Sequence, residues 1–319
     1  SVNYSNVKGY EPEQNRVYGF AEAGDSAVWV ATGRGIMLYD LYADRSYSNL
    51  KVENHPINRT DFAALSVLEL NDTMLYIGTA DKGLWQYNTA QEELKIFNID
   101  SQDSLSLTSN RITKIEPDRL NNLWLGSAGG GLIYFDANTE NFESFRFDGE
   151  DPNSLRDNNV ISLEMDKNGL LYVGTGNAGL YVLDPKTKKF IARYHANSTD
   201  RRIPDNSINS IMVDNSDVLW VGSNGEGLIR IDQKTDSIIV YDRGNGLANQ
   251  VIHGITKDIF GIIWLSTNAG LTAFNKDTRT FRNYTEEAVL GKNTFLQGSF
   301  FRDSEGVLYF GGANGFDYF

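Results

Sequence analysis

Short apolar runs separated by polar turns recur along the whole chain and define its organisation. In the clearest copy, residues 219–232, an apolar run is followed by a glycine-rich turn, a second apolar run and the acidic residue Asp232. Apolar runs this short, bounded by turn residues, are typical of β-strands. The pattern therefore predicts a chain built from strands joined by tight turns.

The aromatic residue of the first run gives the repeat its period. It occurs seven times, at Trp29, Tyr76, Trp124, Tyr172, Trp220, Trp264 and Tyr309. The spacings are 47, 48, 48, 48, 44 and 45 residues. A strand repeat with a period in the forties is typical of β-propellers. We therefore expect an all-β, seven-bladed β-propeller that forms a single domain over residues 1–319.

Each middle copy divides into four antiparallel strands, A to D, and the fourth copy shows this most clearly. Its strands are predicted at Val160–Met165, Leu170–Gly174, Gly179–Leu183 and Lys189–His195. The A–B turn contains Gly169, which can adopt the positive φ of a tight turn, and the C–D turn contains Pro185, which fixes φ. The blades are therefore expected to be four-stranded.

The two ends of the chain are predicted to complete one blade together. The seventh copy supplies strands at 295–301, 307–310 and 316–319 but no fourth strand. Residues 2–8 form an isolated strand pattern before the first full blade, which begins near Arg16. If residues 2–8 pair with the last blade, the ring closes and no sheet edge stays open.

The strand order distributes the connections over two faces of the ring. The D–A crossovers and B–C loops share one face, here the loop face, and the A–B and C–D turns share the other, the turn face. The turns are short and uniform, whereas the loops vary in length and sequence. Because varied loops on a rigid scaffold carry function, we expect a ligand or partner at the loop face.

Amides and guanidiniums dominate the candidate binding residues around the central opening of the loop face. The candidates are Arg16, Asn110, Arg111, Asn159, Asn206, Asn224, Glu226, Asn249, Gln250 and His253. Amides donate and accept hydrogen bonds and arginine presents a planar fork, which suits hydroxyl-rich or carboxylate ligands. The alternative is that each asparagine before a strand ties its own loop by local hydrogen bonds.

Composition narrows the classes of function. The chain has 29 basic and 42 acidic residues, a net charge of −13, which disfavours binding to nucleic acid or to an anionic membrane. Cysteine is absent, which excludes disulfides and thiolate metal sites. No apolar run approaches the length of a membrane span.

Motifs for catalysis or metal binding are missing. The three histidines, His55, His195 and His253, belong to different copies of the repeat and have no metal-binding spacing. Turn aspartates such as Asp166 lack the spacing of a calcium loop and are assigned to turn structure. Ser127 and Ser223 lie in B–C turns and do not precede a helix as a nucleophile would. We expect no catalytic residue, metal or cofactor.

The repeat resembles the two-component regulator propeller repeat. The resemblance is carried by the Asp-x-x-Gly turn, the Leu-Trp-Val-Gly-Ser run at 219–223, the Gly-Leu pair at 227–228 and the Ser-Leu pairs at 104–105 and 154–155. It covers the chain from about residue 10 to residue 319. The stretch from Trp264 to Phe319 resembles the end of the second propeller of such sensors.

The resemblance implies a periplasmic, non-catalytic sensor domain from a hybrid two-component histidine kinase and response regulator, which is an inner-membrane protein. Such sensors detect oligosaccharides released from glycans and control genes for polysaccharide utilisation. The implied partners are an oligosaccharide, a neighbouring propeller, an immunoglobulin-like domain of the same chain and a second copy in a homodimer. The domain itself would contact neither membrane nor nucleic acid. Two alternatives stay open: an enzyme similar to streptogramin lyases, and a propeller that binds only proteins.

Overall fold

A computed structural model describes residues 2–3, 15–24, 26–43, 45–47, 62–284 and 294–319. These residues form seven antiparallel sheets of four strands, each of which is a blade. The seven-bladed β-propeller expected from the sequence is therefore confirmed. Among the described residues, no helix has the length and apolar character needed to cross a membrane.

The strands follow one another around the ring in chain order after an initial short strand, β1 (Val2–Asn3). Blade one contains β2 (Val17–Ala23), β3 (Ala27–Thr32), β4 (Gly35–Asp40) and β5 (Arg45–Tyr47). Blade two contains β6 (Ala64–Asn71), β7 (Met74–Thr79), β8 (Leu84–Asn88) and β9 (Glu93–Phe97). Blade three contains β10 (Ile112–Pro117), β11 (Leu123–Ser127), β12 (Leu132–Asp136) and β13 (Asn141–Phe145).

The remaining blades repeat this arrangement. Blade four contains β14 (Val160–Met165), β15 (Leu171–Thr175), β16 (Leu180–Asp184) and β17 (Lys189–Tyr194). Blade five contains β18 (Ile208–Val213), β19 (Val218–Ser223), β20 (Leu228–Asp232) and β21 (Ser237–Tyr241), followed by a 3₁₀ turn at Arg243–Asn245. Blade six contains β22 (Ile252–Lys257), β23 (Ile263–Thr267), β24 (Gly270–Asn275) and β25 (Thr280–Tyr284). Blade seven contains β26 (Phe295–Arg302), β27 (Leu308–Gly312) and β28 (Gly315–Tyr318).

The last blade takes its fourth strand from the start of the chain. β1 pairs antiparallel with β28, with Val2 opposite Phe316 and Asn3 opposite Gly315. The rest of the predicted closing strand, residues 4–8, lies outside the described residues, as does His55.

The repeated aromatic residues fill the space between neighbouring blades. Trp124, Trp220 and Tyr309 are at most 1% exposed. In one such cluster, Tyr76 of blade two packs with Leu125 and Phe135 of blade three. The regular aromatic spacing in the sequence therefore marks core positions rather than a surface for stacking sugars. Trp264 of blade six keeps part of its surface exposed and is the exception.

The aspartates of the A–B turns in blades five, six and seven explain why the turn motif and the aromatic position occur together there. In blade six, Asp258 Oδ1 accepts hydrogen bonds from the amides of Phe260 and Ile262, both at 2.9 Å. Asp258 Oδ2 accepts a hydrogen bond from Trp264 Nε1, also at 2.9 Å. Asp214 and Asp303 likewise accept a hydrogen bond from a backbone amide of their turn and another from the aromatic residue, Trp220 and Tyr309 respectively. The assignment of these carboxylates to turn structure is confirmed.

Candidate functional site at the loop face of the channel

The A strands of the seven blades surround a central channel, and one end of it opens at the loop face. A cavity of about 230 Å³ lies at this end. It is lined by side chains from blades one, two, three, four and seven, which are Tyr18, Leu65, Arg111, Thr113, Lys114, Ile161, Leu296 and Gln297. The wall is apolar with polar groups at intervals, as in sites that orient small ligands.

Lys114 crosses the channel and divides it. Its Nζ donates a hydrogen bond to the carbonyl oxygen of Gly298 at 2.5 Å and lies 5.7 Å from the ring centroid of Phe300. The residues at the same register position in five other blades are small, namely Gly19, Ser66, Ser162, Ser210 and Gly254. One long side chain therefore spans a level at which the other blades leave room, and it gives the loop-face cavity a floor.

On the other side of Lys114 is a turn-face cavity of about 410 Å³ with an acidic lining. Its ionisable residues are Glu22, Glu69, Lys114, Glu116, Glu164 and Arg302. Two of these glutamates accept a hydrogen bond from the backbone of the next blade. Glu116 Oε1 accepts a hydrogen bond from Met165 N at 3.1 Å, and Glu164 Oε1 accepts one from Val213 N at 3.5 Å.

Burial dominates the ionisation of this group. It raises the pKa of Glu116 to about 7, against the opposing hydrogen bond from Met165 and the nearby Lys114 charge. It raises the pKa of Glu164 to about 8, and the charge of Glu116 adds to the effect. It lowers the pKa of Lys114 to about 8. Protein surrounds these side chains in the channel, so desolvation shifts the pKa of each of the three groups toward its neutral form.

Among the predicted residues, Arg111 has the clearest place in the site. It is exposed, lines the loop-face cavity and is followed by the strand that carries Lys114. Arg16 is likewise exposed and immediately precedes the A strand of blade one. None of the ion pairs within the described residues involves either guanidinium. Both are therefore available to a ligand with hydroxyl or carboxylate groups.

Three of the predicted amides hold loops instead. Asn110 Oδ1 accepts a hydrogen bond from Ile99 N, and Asn206 Oδ1 accepts one from Ala196 N, both at 2.9 Å. Asn249 Oδ1 accepts from Val251 N at 2.8 Å. Each of these oxygens accepts the local backbone hydrogen bond that the loop-tying alternative describes.

Blades five and six bring together another subset of the predicted residues. Gln250 Nε2 donates to Gly225 O at 3.0 Å, and Asn224 N donates to Asp205 Oδ2 at 3.1 Å. These bonds join the B–C loop of blade five to the crossovers on both of its sides. Glu226, in the same loop, and Asn159, at the start of blade four, are exposed.

Several residues of the mouth are not among those predicted from the sequence. Gln297 Nε2 donates to Asn209 Oδ1 at 2.6 Å, and Asn209 Nδ2 in turn donates to Ile252 O at 3.0 Å, so an amide chain links blade seven to blades five and six. Lys114 was missed as well, although alignment of the repeats shows it as the one charged residue at a level of glycine and serine.

His253 occupies in β22 the register position that Tyr18 occupies in β2. Its Nε2 is 2.7 Å from Asn268 Oδ1, and burial lowers its pKa. Ser127 and Ser223 are buried and donate to the carbonyl oxygens of Gly131 and Gly227, which confirms their assignment to B–C turns. Within the described residues, no group of three or more histidine, aspartate or glutamate side chains could hold a metal ion.

Comparison with known families supports the resemblance seen in the sequence. Residues 154–177 and 202–225 match the two-component regulator propeller family. Each match runs from a D–A crossover through strands A and B, in blades four and five respectively, and confirms the resemblance for those blades. A stretch of 71 residues, 22% of the chain, is 30% identical to histidine kinase P4 of Formosa agariphila, and it spans 5% of that protein.

Solved structures share the propeller fold. The extracellular domain of a hybrid two-component system from B. thetaiotaomicron matches with a TM-score of 0.80 at 22% identity, over 98% of this chain and 40% of that chain. A second such domain matches with a TM-score of 0.50 at 21% identity, over 92% and 44%. This chain thus spans less than half of either domain.

A streptogramin B lyase also has this fold, with a TM-score of 0.68 at 14% identity over 96% of this chain and 93% of that chain. At such identities, the likeness concerns the fold alone.

Proposed function

We propose that this chain is a non-catalytic, periplasmic sensor propeller of a hybrid two-component protein and that it detects glycan-derived oligosaccharides. The family matches in blades four and five support the signalling context. The observation that carries the ligand proposal is the loop-face cavity, which Lys114 closes from below and beside which the guanidinium of Arg111 has no ion-pair partner within the described residues.

The size and chemistry of the cavity favour one end of a sugar chain. Its volume of about 230 Å³ is below the roughly 300–1,000 Å³ of sites that enclose a whole drug-sized ligand. Tyr18 and Leu65 offer apolar wall, while Arg111 and Gln297 offer hydrogen-bond donors. A terminal sugar would enter the cavity, and the rest of the oligosaccharide would lie across the exposed crossovers.

Signalling then follows from differential binding. An oligosaccharide that binds one arrangement of this propeller and its neighbours more tightly than another shifts the population toward that arrangement. The neighbours that we propose are a second propeller and an immunoglobulin-like domain of the parent chain, with a second copy in a homodimer. The output would be altered kinase activity and expression of polysaccharide-utilisation genes.

A glycan-array screen followed by calorimetry tests this function. The chain and its longer parent sensor are screened against oligosaccharides from plant, algal and animal glycans, and the best hit is titrated into variants. Arg111→Ala should weaken binding about tenfold or more, because it removes charge-assisted hydrogen bonds of about 1.5–3 kcal/mol. Arg119→Ala, an exposed arginine on the turn face, is the matched control and should bind normally.

The screen also separates the two alternatives. If neither protein binds any oligosaccharide, the sensing function is wrong and a propeller that binds only proteins is favoured. If the chain instead transforms a ligand and His253→Ala abolishes that activity, the protein is an enzyme.

A further inference from the structure

A larger cavity, of about 960 Å³, lies on the rim of the ring between blades three and four. It is lined by the end of β13, the crossover that follows it and the start of β17. None of its lining residues belongs to an A strand, so this rim groove is separate from the channel mouth.

An exposed aromatic ring projects beside the groove. Phe147 is 50% exposed, and the guanidinium carbon of Arg156 lies 5.5 Å from its ring centroid. The backbone of Phe147 is fixed, because its amide donates to Asn158 Oδ1 at 2.7 Å. Phe145 and Phe190 form the apolar wall behind it, with ring centroids 6.5 Å apart.

The crossover that carries Phe147 is a rigid loop. Ser154 Oγ accepts from Asp148 N at 3.0 Å and donates to Asp148 O at 2.8 Å, which closes the loop on itself. Asp151 Oδ1 accepts from Asn153 N at 2.9 Å. Because these bonds exist before any ligand arrives, little ordering cost would accompany binding.

Polar groups converge on the same groove. Asp148 and Asp151 are exposed, and each accepts a backbone amide hydrogen bond at Oδ1. Arg146 and Lys189, which also line the groove, take part in none of the ion pairs within the described residues. An aromatic face flanked by carboxylate, amide and cationic groups is suited to a ligand with both apolar and hydroxyl-bearing surfaces.

The preceding blade junction has the same loop, with Asp100 and Asp103 in place of Asp148 and Asp151, but it lacks the aromatic ring and the amide. There, Ser106 Oγ accepts from Asp100 N at 3.0 Å, just as Ser154 does for Asp148. Ile99 takes the place of Phe147, and Leu105 takes the place of Asn153; each is 49% exposed. The loop framework therefore does not require an aromatic ring or an amide at these positions, which points to a role in recognition.

We propose that the rim groove is a second carbohydrate site, in which Phe147 stacks on the apolar face of a pyranose ring and Asp151 and Asn153 hydrogen-bond its hydroxyls. The ligand class rests on the proposed function. A peptide strand added to an outer strand would use an edge common to the blades, whereas Phe147 and Asn153 are replaced by Ile99 and Leu105 at the preceding junction. The groove therefore favours a sugar over a peptide.

Matched variants test the groove. The tightest-binding oligosaccharide from the glycan array is titrated into Phe147→Ala and, as control, Ile99→Ala, which removes a side chain of similar exposure from the equivalent position. Phe147→Ala should weaken binding about tenfold and Ile99→Ala should leave it unchanged. Asn153→Leu, which installs the residue of the preceding junction, should also weaken binding. Unchanged melting temperatures would show that the variants are folded.

The variants distinguish the groove from the channel mouth. If Phe147→Ala loses affinity while Arg111→Ala binds normally, the oligosaccharide binds in the rim groove and the channel mouth is not its binding site. The reverse result shows that the rim groove is not a binding site for this oligosaccharide and leaves the proposed function unchanged. Absence of oligosaccharide binding, or binding of peptides alone, overturns the carbohydrate assignment of both sites.

Discussion

Lys114, Glu116 and Glu164 place two carboxyls and one amine inside the channel. Because burial raises the pKa of Glu164 from 4.5 to about 8, the folded protein keeps a proton that the unfolded chain releases near pH 4.5. Between these pH values the folded state binds more protons, so the free energy of unfolding falls as pH rises. Lys114 acts oppositely above pH 8, since its lowered pKa makes the unfolded chain bind more protons there.

Glu164→Gln should remove much of this pH dependence. The variant should match the wild type near pH 5, where Glu164 is protonated and neutral like glutamine, and should exceed it in unfolding free energy by pH 8. Urea unfolding at pH 5, 6, 7 and 8 measures the difference. Glu226→Gln, at an exposed loop position, is the control and should leave the pH profile unchanged. Parallel profiles for Glu164→Gln and the wild type would contradict the buried cluster.

Single residues were the hardest part of the site to predict. Asn110 and Arg111 are neighbours in sequence, yet one ties a loop and the other lines the cavity. Lys114 follows a register shift that interrupts the alternation of strand A, as it does at the equivalent positions of five other blades. A bulge of this kind redirects side chains, so a period-two pattern does not tell which ones enter the channel.

At the scale of elements, one glycine in the B–C loop of each of blades two to five has a defined steric role. Gly227 has a φ of +87°, and a Cβ on it would lie 2.3 Å from the carbonyl oxygen of Tyr241. A Cβ on Gly83, Gly131 or Gly179 would likewise lie 2.0–2.3 Å from a carbonyl oxygen of the outer strand of the same blade. The Gly-Leu pair of the repeat is therefore required by the close approach of strands C and D at the loop.

Gly227→Ala should destabilise the protein by about 2 kcal/mol or more, because it adds strain at positive φ to a clash with backbone. Gly225→Ala, two residues earlier in the same loop, is the matched control, since a Cβ there meets nothing within 4 Å. It should change stability by less than about 0.5 kcal/mol. Urea unfolding at one pH compares the two, and equal effects would refute the steric role.

The sequence predicted most elements to within a residue or two. Strand B of blade four was expected at Leu170–Gly174 and lies at Leu171–Thr175. The C–D turns hold an unpredicted feature, because Glu140, Lys188 and Asp236 have φ values of 55–59°. Positive φ is anticipated from glycine, asparagine or aspartate, whereas glutamate and lysine, as at Glu140 and Lys188, give no local sign of it.

At the scale of the whole molecule, a seven-fold period was enough to predict the ring, because six of the seven blades bury the repeated aromatic residue. The rim groove could not be predicted in this way. It depends on which side chains of blades three and four face each other across a gap, and Phe147 and Phe190 are separated in sequence by nearly a full repeat. Departures from the repeat, rather than the repeat itself, distinguish one junction from another.

A second departure from the repeat is a group of exposed apolar residues on the turn face of blades six and seven. Ile259, Phe260 and Phe319 are 63%, 84% and 49% exposed. Phe319 packs edge-on against Trp264 at 4.8 Å between ring centroids, and Ile259 lies against Gly306 of the next A–B turn. The equivalents of Phe260 in neighbouring turns are polar, namely Asn168, Ser216 and Glu305. This apolar patch suits the neighbouring propeller that we propose as a partner.

Oxidative footprinting can test that contact, because a side chain covered by another domain reacts more slowly with hydroxyl radicals. Phe260 should react readily in this chain alone and be protected in the parent sensor. Leu120, 77% exposed at the same turn position of blade three, is the matched control and should react equally in both. Equal reactivity of Phe260 in the two proteins would exclude the patch as the contact. Protection of both side chains would instead mean that the partner covers the whole turn face, which would leave the loop face and the rim groove open to ligand.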